Sequence, residues 1–320
     1  MGHSEQRRAW ASSGALALTG RPDGPPLLPP DGVVDRMVAL GRPDGFDVLP
    51  LLAERAAVAG HTRGGDVSCG GAARLLPARD GWVAVGLPRP DDVELLPAWL
   101  GVEEQTADPW PAVAAALAGK QVSEVLERSA LLGLPVAAVA ASPLPVEGQP
   151  AKATRLRPGG GMMREGPLVV DLSSLWAGPL CGRLLGDRGA RVVKVESTHR
   201  PDGARRGPAA FFSLMHGGHE AVALDFRDDA DVDRLRRLLL TADVVIEASR
   251  PRALEQLGID AAEIVRAGPS VWVSITGYGR EGAQRGRVAF GDDAAAGGGL
   301  VAWDERGPCF VADAVADPLT

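Results

Sequence analysis

Four aspartates near the end of the chain have the types and spacing to do chemistry. Asp292 and Asp293 follow Phe290-Gly291, and Asp313 and Asp317 stand in the segment VADAVADPLT. A carboxylate can attack an activated acyl group or serve as general acid or base. Aspartates in glycine-rich loops are more often turn formers and helix caps, so residue type alone leaves both roles open. Other chemistries lack their signatures. His216 and His219, in SLMHGGHE, have no nearby third metal ligand, and no Gly-x-Ser-x-Gly elbow marks a serine hydrolase. A dinucleotide fingerprint would need three spaced glycines after the first strand of an α/β unit. That turn reads Ser173-Ser-Leu-Trp-Ala-Gly-Pro179, with Gly182 beyond, and Glu196 alone does not replace the missing glycines.

The elements that must position these residues fall into two parts. From about Pro143 to Gly166 the chain is rich in Pro, Gly and charge and reads as a linker, with residues 149–166 at its centre. Beyond it, Pro167–Leu172, Arg191–Val195, Ala221–Leu224, Asp243–Ile246 and Ser270–Ile275 are short β-branched runs bounded by turn residues. Helical windows alternate with them: Pro179–Arg188 repeats leucine at helical spacing, and Asp231–Leu240 opens on acid and carries leucines on one face. This alternation predicts an α/β fold, a Rossmann-like, mostly parallel sheet over 167–320. A smaller α+β domain is expected over 1–148, with a strand at Asp80–Leu87, helix over Val113–Leu132 broken near Gly119, and a short strand at Leu134–Val139. Residues 13–35 also resemble 298–317, an alignment that pairs Asp31 and Asp35 with Asp313 and Asp317.

Composition narrows the partners. The chain has 320 residues, 45% of them hydrophobic, enough for a sizeable core. Its net charge of −7 argues against nucleic acid as partner, because phosphate binding needs a basic face. Cys69, Cys181 and Cys309 are widely separated, which suits free thiols in a reducing compartment and implies no structural zinc. The first twenty residues lack a sustained apolar run. The expectation is a cytoplasmic chain without membrane or metal.

Six blocks carry a resemblance: Asp171–Pro179, Leu184–Glu196, Ala223–Asp225, Asp243–Glu247, Arg250–Gly258 and Val273–Gly279. In order and spacing they look like the N-terminal half of class III CoA-transferases, the family of formyl-CoA transferase, carnitine dehydratase and bile-acid-inducible proteins. Gly70–Val85 and Leu134–Val139 resemble that family's small domain, which here precedes the α/β half instead of following it. A partial first module fused ahead of a second, ending inside a family motif at Thr320, is the organisation this implies.

The resemblance implies an acyl-CoA:carboxylate CoA-transferase in which an aspartate forms a mixed anhydride with the donor acyl group, then an enzyme-CoA thioester. The nucleophile falls on Asp317, with Asp313 as runner-up. CoA contacts fall on Ser174, Leu175, Trp176 and Ala177, on Ala248 and Ser249, and on Arg252 and Arg287 as phosphate partners. A glycine loop closing over the acyl aspartate falls on Gly64, Gly65, Gly70 and Gly71. Partners would be acyl-CoA, a carboxylic acid acceptor and a second copy in an interlocked homodimer. The chain departs from the family at His216-Gly-Gly-His-Glu220 and at Ala248-Ser249, where cationic and amide groups are lost. Two alternatives remain: a 2-methylacyl-CoA racemase-like enzyme, which needs a histidine where this chain has Gly291-Asp292-Asp293, and a CoA-binding or partner module without turnover.

Overall fold

The computed structural model describes residues 2–41, 45–101, 108–143, 151–156, 165–268 and 271–320. The chain divides into two compact units, residues 1–145 with 287–319, and residues 146–286. Most of the expected linker, 149–150 and 157–164, lies outside the described residues.

The first unit is built on an antiparallel sheet of β1 (Ala73–Ala78), β2 (Gly81–Gly86) and β3 (Val136–Ala138), in that order. One face packs Leu76, Val83, Val85 and Val136 against Trp99, Trp110, Val113, Leu117 and Val125 of the helices Leu96–Leu100, Trp110–Ala118 and Val122–Leu132. The expected break near Gly119 is present, since the helix ends at Ala118 and a new one starts at Val122. The opposite face packs Ala73, Leu75 and Ala84 against Ala296, Val301 and Phe310.

The second unit holds five parallel strands: β4 (Leu168–Asp171), β5 (Arg191–Ser197), β6 (Glu220–Leu224), β7 (Val244–Glu247) and β8 (Val271–Ser274). Their order is β6-β5-β4-β7-β8. Alternate residues feed two cores, as period-two strands buried on both faces require. Val170, Val193, Val195 and Val245 meet Leu235 and Leu239 of the helix Asp229–Thr241, while Val169, Val192, Val244 and Ile246 meet Cys181 and Leu185 of the helix Ala177–Gly186. The α/β class and the parallel sheet expected from the sequence are those observed.

Two expectations are corrected. Residues 287–319 belong to the first compact unit. Their helix Gly291–Gly297 packs on β2 and β3, and the hairpin β9 (Val301–Asp304) and β10 (Gly307–Phe310) is antiparallel, its apolar side closing the first unit's second core. The resemblance between 13–35 and 298–317 holds only at its end, where Asp35 and Asp317 each stand in the first turn of a helix, Val33–Gly41 and Ala316–Leu319. Ahead of that the first segment has the 3-10 turn Ala15–Leu18 and the second a β-hairpin.

Candidate functional site

The first unit gathers the four aspartates into one cluster. The helix Gly291–Gly297 presents Asp292 and Asp293 in its first turn, and the segment after β10 carries Asp313 and then Asp317, in the short helix Ala316–Leu319. Gly291 lets the two meet. A Cβ there would lie 2.6 Å from the Ala314 carbonyl oxygen and 2.8 Å from the Asp317 carboxyl carbon. Asp313 is fully buried and takes a two-pronged ion pair from Arg55: Nε donates to Oδ2 at 2.8 Å and a terminal nitrogen donates to Oδ1. His61 Nδ1 stands 3.9 Å from Asp313 Oδ2. Ala312 and Ala314, on either side, hold φ of 54° and 42°, a left-handed backbone that costs roughly 1–3 kcal/mol per non-glycine residue and that marks functional turns.

The electrostatics of the cluster are uneven. Burial pushes Asp292 up to about 6 against the pull of Arg55, and pushes Asp293 and Asp317 up to about 7. Asp293 caps its helix, accepting from the Phe290 N–H at 2.8 Å, and its other oxygen is buried with no partner among the described residues. Asp317 is half-buried, and among the described residues no side-chain hydrogen bond or ion pair holds it.

The expected glycine loop lies beside this cluster. Gly64 pairs with Val67, Gly65 accepts from the Phe310 N–H at 2.8 Å, and a Cβ at Gly70 would stand 3.6 Å from Arg55 and 3.8 Å from His61. Gly71 turns the chain with φ of 74°. Cys69, between them, has its Sγ 3.3 Å from the Ala312 carbonyl, and burial pushes its thiol up to about 12, so it stays protonated and is no competing nucleophile. Sequence reasoning reached the aspartates and the glycines but missed Arg55 and His61.

The second unit gathers the other set. Its strand order reverses at β4 and β7, and ligands of open α/β sheets bind outside the carboxyl ends of the strands at such a switch point. The loop after β4 is Ser173–Trp176 and the loop after β7 is Ala248-Ser249. The pairing of Asp171 with Ile246 sets the two side by side. Ser174 and Ala248 are exposed, Leu175 and Ala177 half-buried, and Trp176 is buried edge-on against Phe211. Arg252 is exposed in the helix Pro251–Glu255 that follows. Arg287 belongs to the first unit and donates to the Val136 carbonyl at 3.0 Å.

Gly178 fixes this loop. A Cβ there would fall 2.1 Å from Ser173 Oγ, whereas one at Gly182 meets nothing nearer than 3.7 Å. Gly178→Ala is therefore expected to cost about 1–3 kcal/mol, and Gly182→Ala less than about 0.5 kcal/mol, in urea denaturation. Equal costs would refute this packing.

Fold and sites together define an α/β protein with a parallel-sheet switch point in one unit and a carboxylate cluster in the other. Over residues 165–320 the chain matches CoA-transferase family III. It is 29% identical to succinyl-CoA–D-citramalate CoA-transferase of Chloroflexus aurantiacus, over 47% of this chain and 40% of that protein. It is 25% identical to the probable CoA-transferase Rv1866 of Mycobacterium tuberculosis, over 88% of this chain and 49% of that one. A crystal structure of a CaiB/BaiF family protein from Brucella suis aligns with 48% of this chain and 44% of its own, at 33% identity and a TM-score of 0.44. The chain thus spans half or less of the length of these relatives.

Proposed function

We propose that the protein is an acyl-CoA:carboxylate CoA-transferase whose acyl-carrying group is Asp317. The observation that carries the reading is the convergence of Asp292, Asp293, Asp313 and Asp317 beside Arg55 and under the glycine loop. The family match of residues 165–320 supports it. Asp313 is fully buried and bound by Arg55, so its lone pairs are engaged. Among the described residues Asp317 has no ion pair, and its raised basicity makes the ionised form the stronger nucleophile.

The carboxylate attacks the donor thioester carbonyl, a C–O bond forms, the C–S bond breaks, and CoA leaves as thiolate. The thiolate then attacks the aspartyl carbonyl of the anhydride, giving an enzyme thioester and releasing the donor acid as carboxylate. The acceptor carboxylate attacks that thioester to form a second anhydride, and the returning thiolate takes its acyl group, freeing the aspartate. Each cycle consumes and returns one carboxylate and one thiolate, so no net proton is needed. Arg55 offsets the negative charge that accumulates in the cluster. In this reading Ser174–Ala177 and Ala248-Ser249 contact CoA, Arg252 pairs a phosphate with Arg287 as a second candidate, the glycines Gly64, Gly65, Gly70 and Gly71 cover the acyl aspartate, and a carboxylic acid is the acceptor.

The protein incubated with succinyl-CoA and quenched with hydroxylamine should yield a hydroxamate on Asp317, located by fragment sequencing of the peptide that holds both Asp313 and Asp317. Modification of Asp313 instead would transfer the role to the runner-up. CoA binding without any hydroxamate would leave a binding module. One observation favours a racemase-like alternative: the sequence has no histidine at Gly291-Asp292-Asp293, yet the fold brings His61 to 3.9 Å from Asp313. Deuterium entry at the α-carbon of a 2-methylacyl-CoA without acyl exchange would establish it.

A further inference from the structure

We infer that Lys194 and Asp202 are positioning residues that set the backbone of the Ser173–Trp176 loop for CoA, an inference that rests on the transferase reading. Lys194 is the buried charge of the second unit that β5 has no local reason to carry. It lies in RVVKVES between valines of the sheet core and is 1% exposed. Its ammonium donates to Asp202 Oδ2 at 2.9 Å and to the Ser173 carbonyl, and stands 3.9 Å from Asp171 Oδ2. Each of these partners grips the loop. Asp171 Oδ1 accepts from the Ser173 N–H at 2.8 Å and from its hydroxyl. Asp202 Oδ1 accepts from the Leu175 N–H at 2.9 Å and from the Ala204 N–H at 2.9 Å. Asp202 is itself fixed, its N–H donating to Glu196 Oε1 at 2.8 Å, and Arg205 holds Glu196 in turn.

The gripped segment includes Leu175 at φ 72°, a conformation a leucine does not hold unless its surroundings impose it. A buried ion group of this kind contributes little net stability, because desolvation cancels most of its attraction, and its effect is to select one backbone arrangement. Here that arrangement leaves Ser174 exposed at the end of β4, between the Ser173 and Leu175 amides that Asp171 and Asp202 hold. Affinity gained by holding a loop in its bound form is gained without any added contact.

Two measurements on the 320-residue chain test this. Asp202→Asn keeps the shape and removes the charge. It should speed amide exchange at Leu175 while leaving Val170, Val193 and Ile246 protected, and should raise the calorimetric Kd for CoA about tenfold, the weight of one charge-assisted hydrogen bond. Ser173→Ala, which leaves the ion group intact, should shift both in the same direction by less and guards against a folding failure in the first variant. If the unaltered protein binds CoA and Asp202→Asn changes neither Kd nor Leu175 exchange, the positioning role is overturned and the transferase reading stands. If the unaltered protein binds no CoA, the transferase reading fails and the inference falls with it.

Discussion

Arg55→Met should lower the unfolding free energy by about 3–5 kcal/mol at pH 7.5, because it strands the fully buried Asp313 carboxylate without its two guanidinium donors. The nearest remaining basic group is His61 at 3.9 Å, too far for a hydrogen bond. Removing both partners removes the stranded charge, and Arg55→Met with Asp313→Asn should recover most of the loss. Asp313→Asn alone should cost less than Arg55→Met, since the Arg55 side chain is 25% exposed and can turn its guanidinium to water. Urea denaturation of the three variants at pH 7.5 gives the comparison. A loss below about 1 kcal/mol for Arg55→Met would mean that the ion pair does not hold the turn around Asp313.

Which parts of this arrangement could be read from the chain follows from what local pattern records. Strands β4 to β8 were legible because buried parallel strands are continuous β-branched runs, and each observed strand falls within a residue or two of its expected run. The helix break at Gly119 was legible for the same reason, as a glycine between two apolar periodicities. The placement of 287–319 was not. A short helix and two short strands read as a continuation of the alternating pattern, and only the antiparallel pairing of β9 with β10 and the packing of Ala296, Val301 and Phe310 onto Leu75 and Ala84 assign them elsewhere.

In the site, Asp292, Asp293, Asp313, Asp317 and the glycine loop announced themselves by type and by resemblance. Arg55 did not, because in LLAERAAVA an arginine beside a glutamate is what any exposed helix turn shows. Its role depends on a partner far along the chain. Lys194 left a signal that could have been used. A lysine between valines in a run that must be buried on both faces needs an internal anion, and Asp202 is the aspartate at the next turn.

The buried aspartates of the first unit and the histidines of the second should contribute pH dependences of opposite sign, with buried Asp171 of the second unit, raised by burial, opposing its histidines. In the first, burial raises Asp292 to about 6 and Asp293 and Asp317 to about 7, above the ordinary carboxylate value near 4. Below pH 4 these groups are protonated both folded and unfolded. As pH rises from 4 to 7 the unfolded chain ionises first, so the first unit loses stability across that window and has lost it fully by about pH 8. In the second unit, burial and then Lys194 hold His216 down at about 4, and His219 is lowered too, mainly by burial. Above pH 6.5 both are neutral in either state. As pH falls toward 4 the unfolded chain takes up protons that the folded unit resists, so the second unit loses stability on acidification. Amide exchange, corrected for its intrinsic pH dependence, should therefore show Val83 and Leu117 better protected at pH 5 than at pH 8, and Val170 and Val245 the reverse. Asp293→Asn isolates one such contribution, because the amide oxygen can still accept from Phe290 while the charge is gone. A buried group shifted by about three units is worth on the order of 4 kcal/mol, so this variant should stabilise the first unit by up to that amount at pH 8 and hardly at all at pH 4. A stability profile of the first unit that rises toward pH 8 would show that the cluster is ionised and solvated, and with it the argument that Asp317 is a strongly basic, sheltered nucleophile would fail.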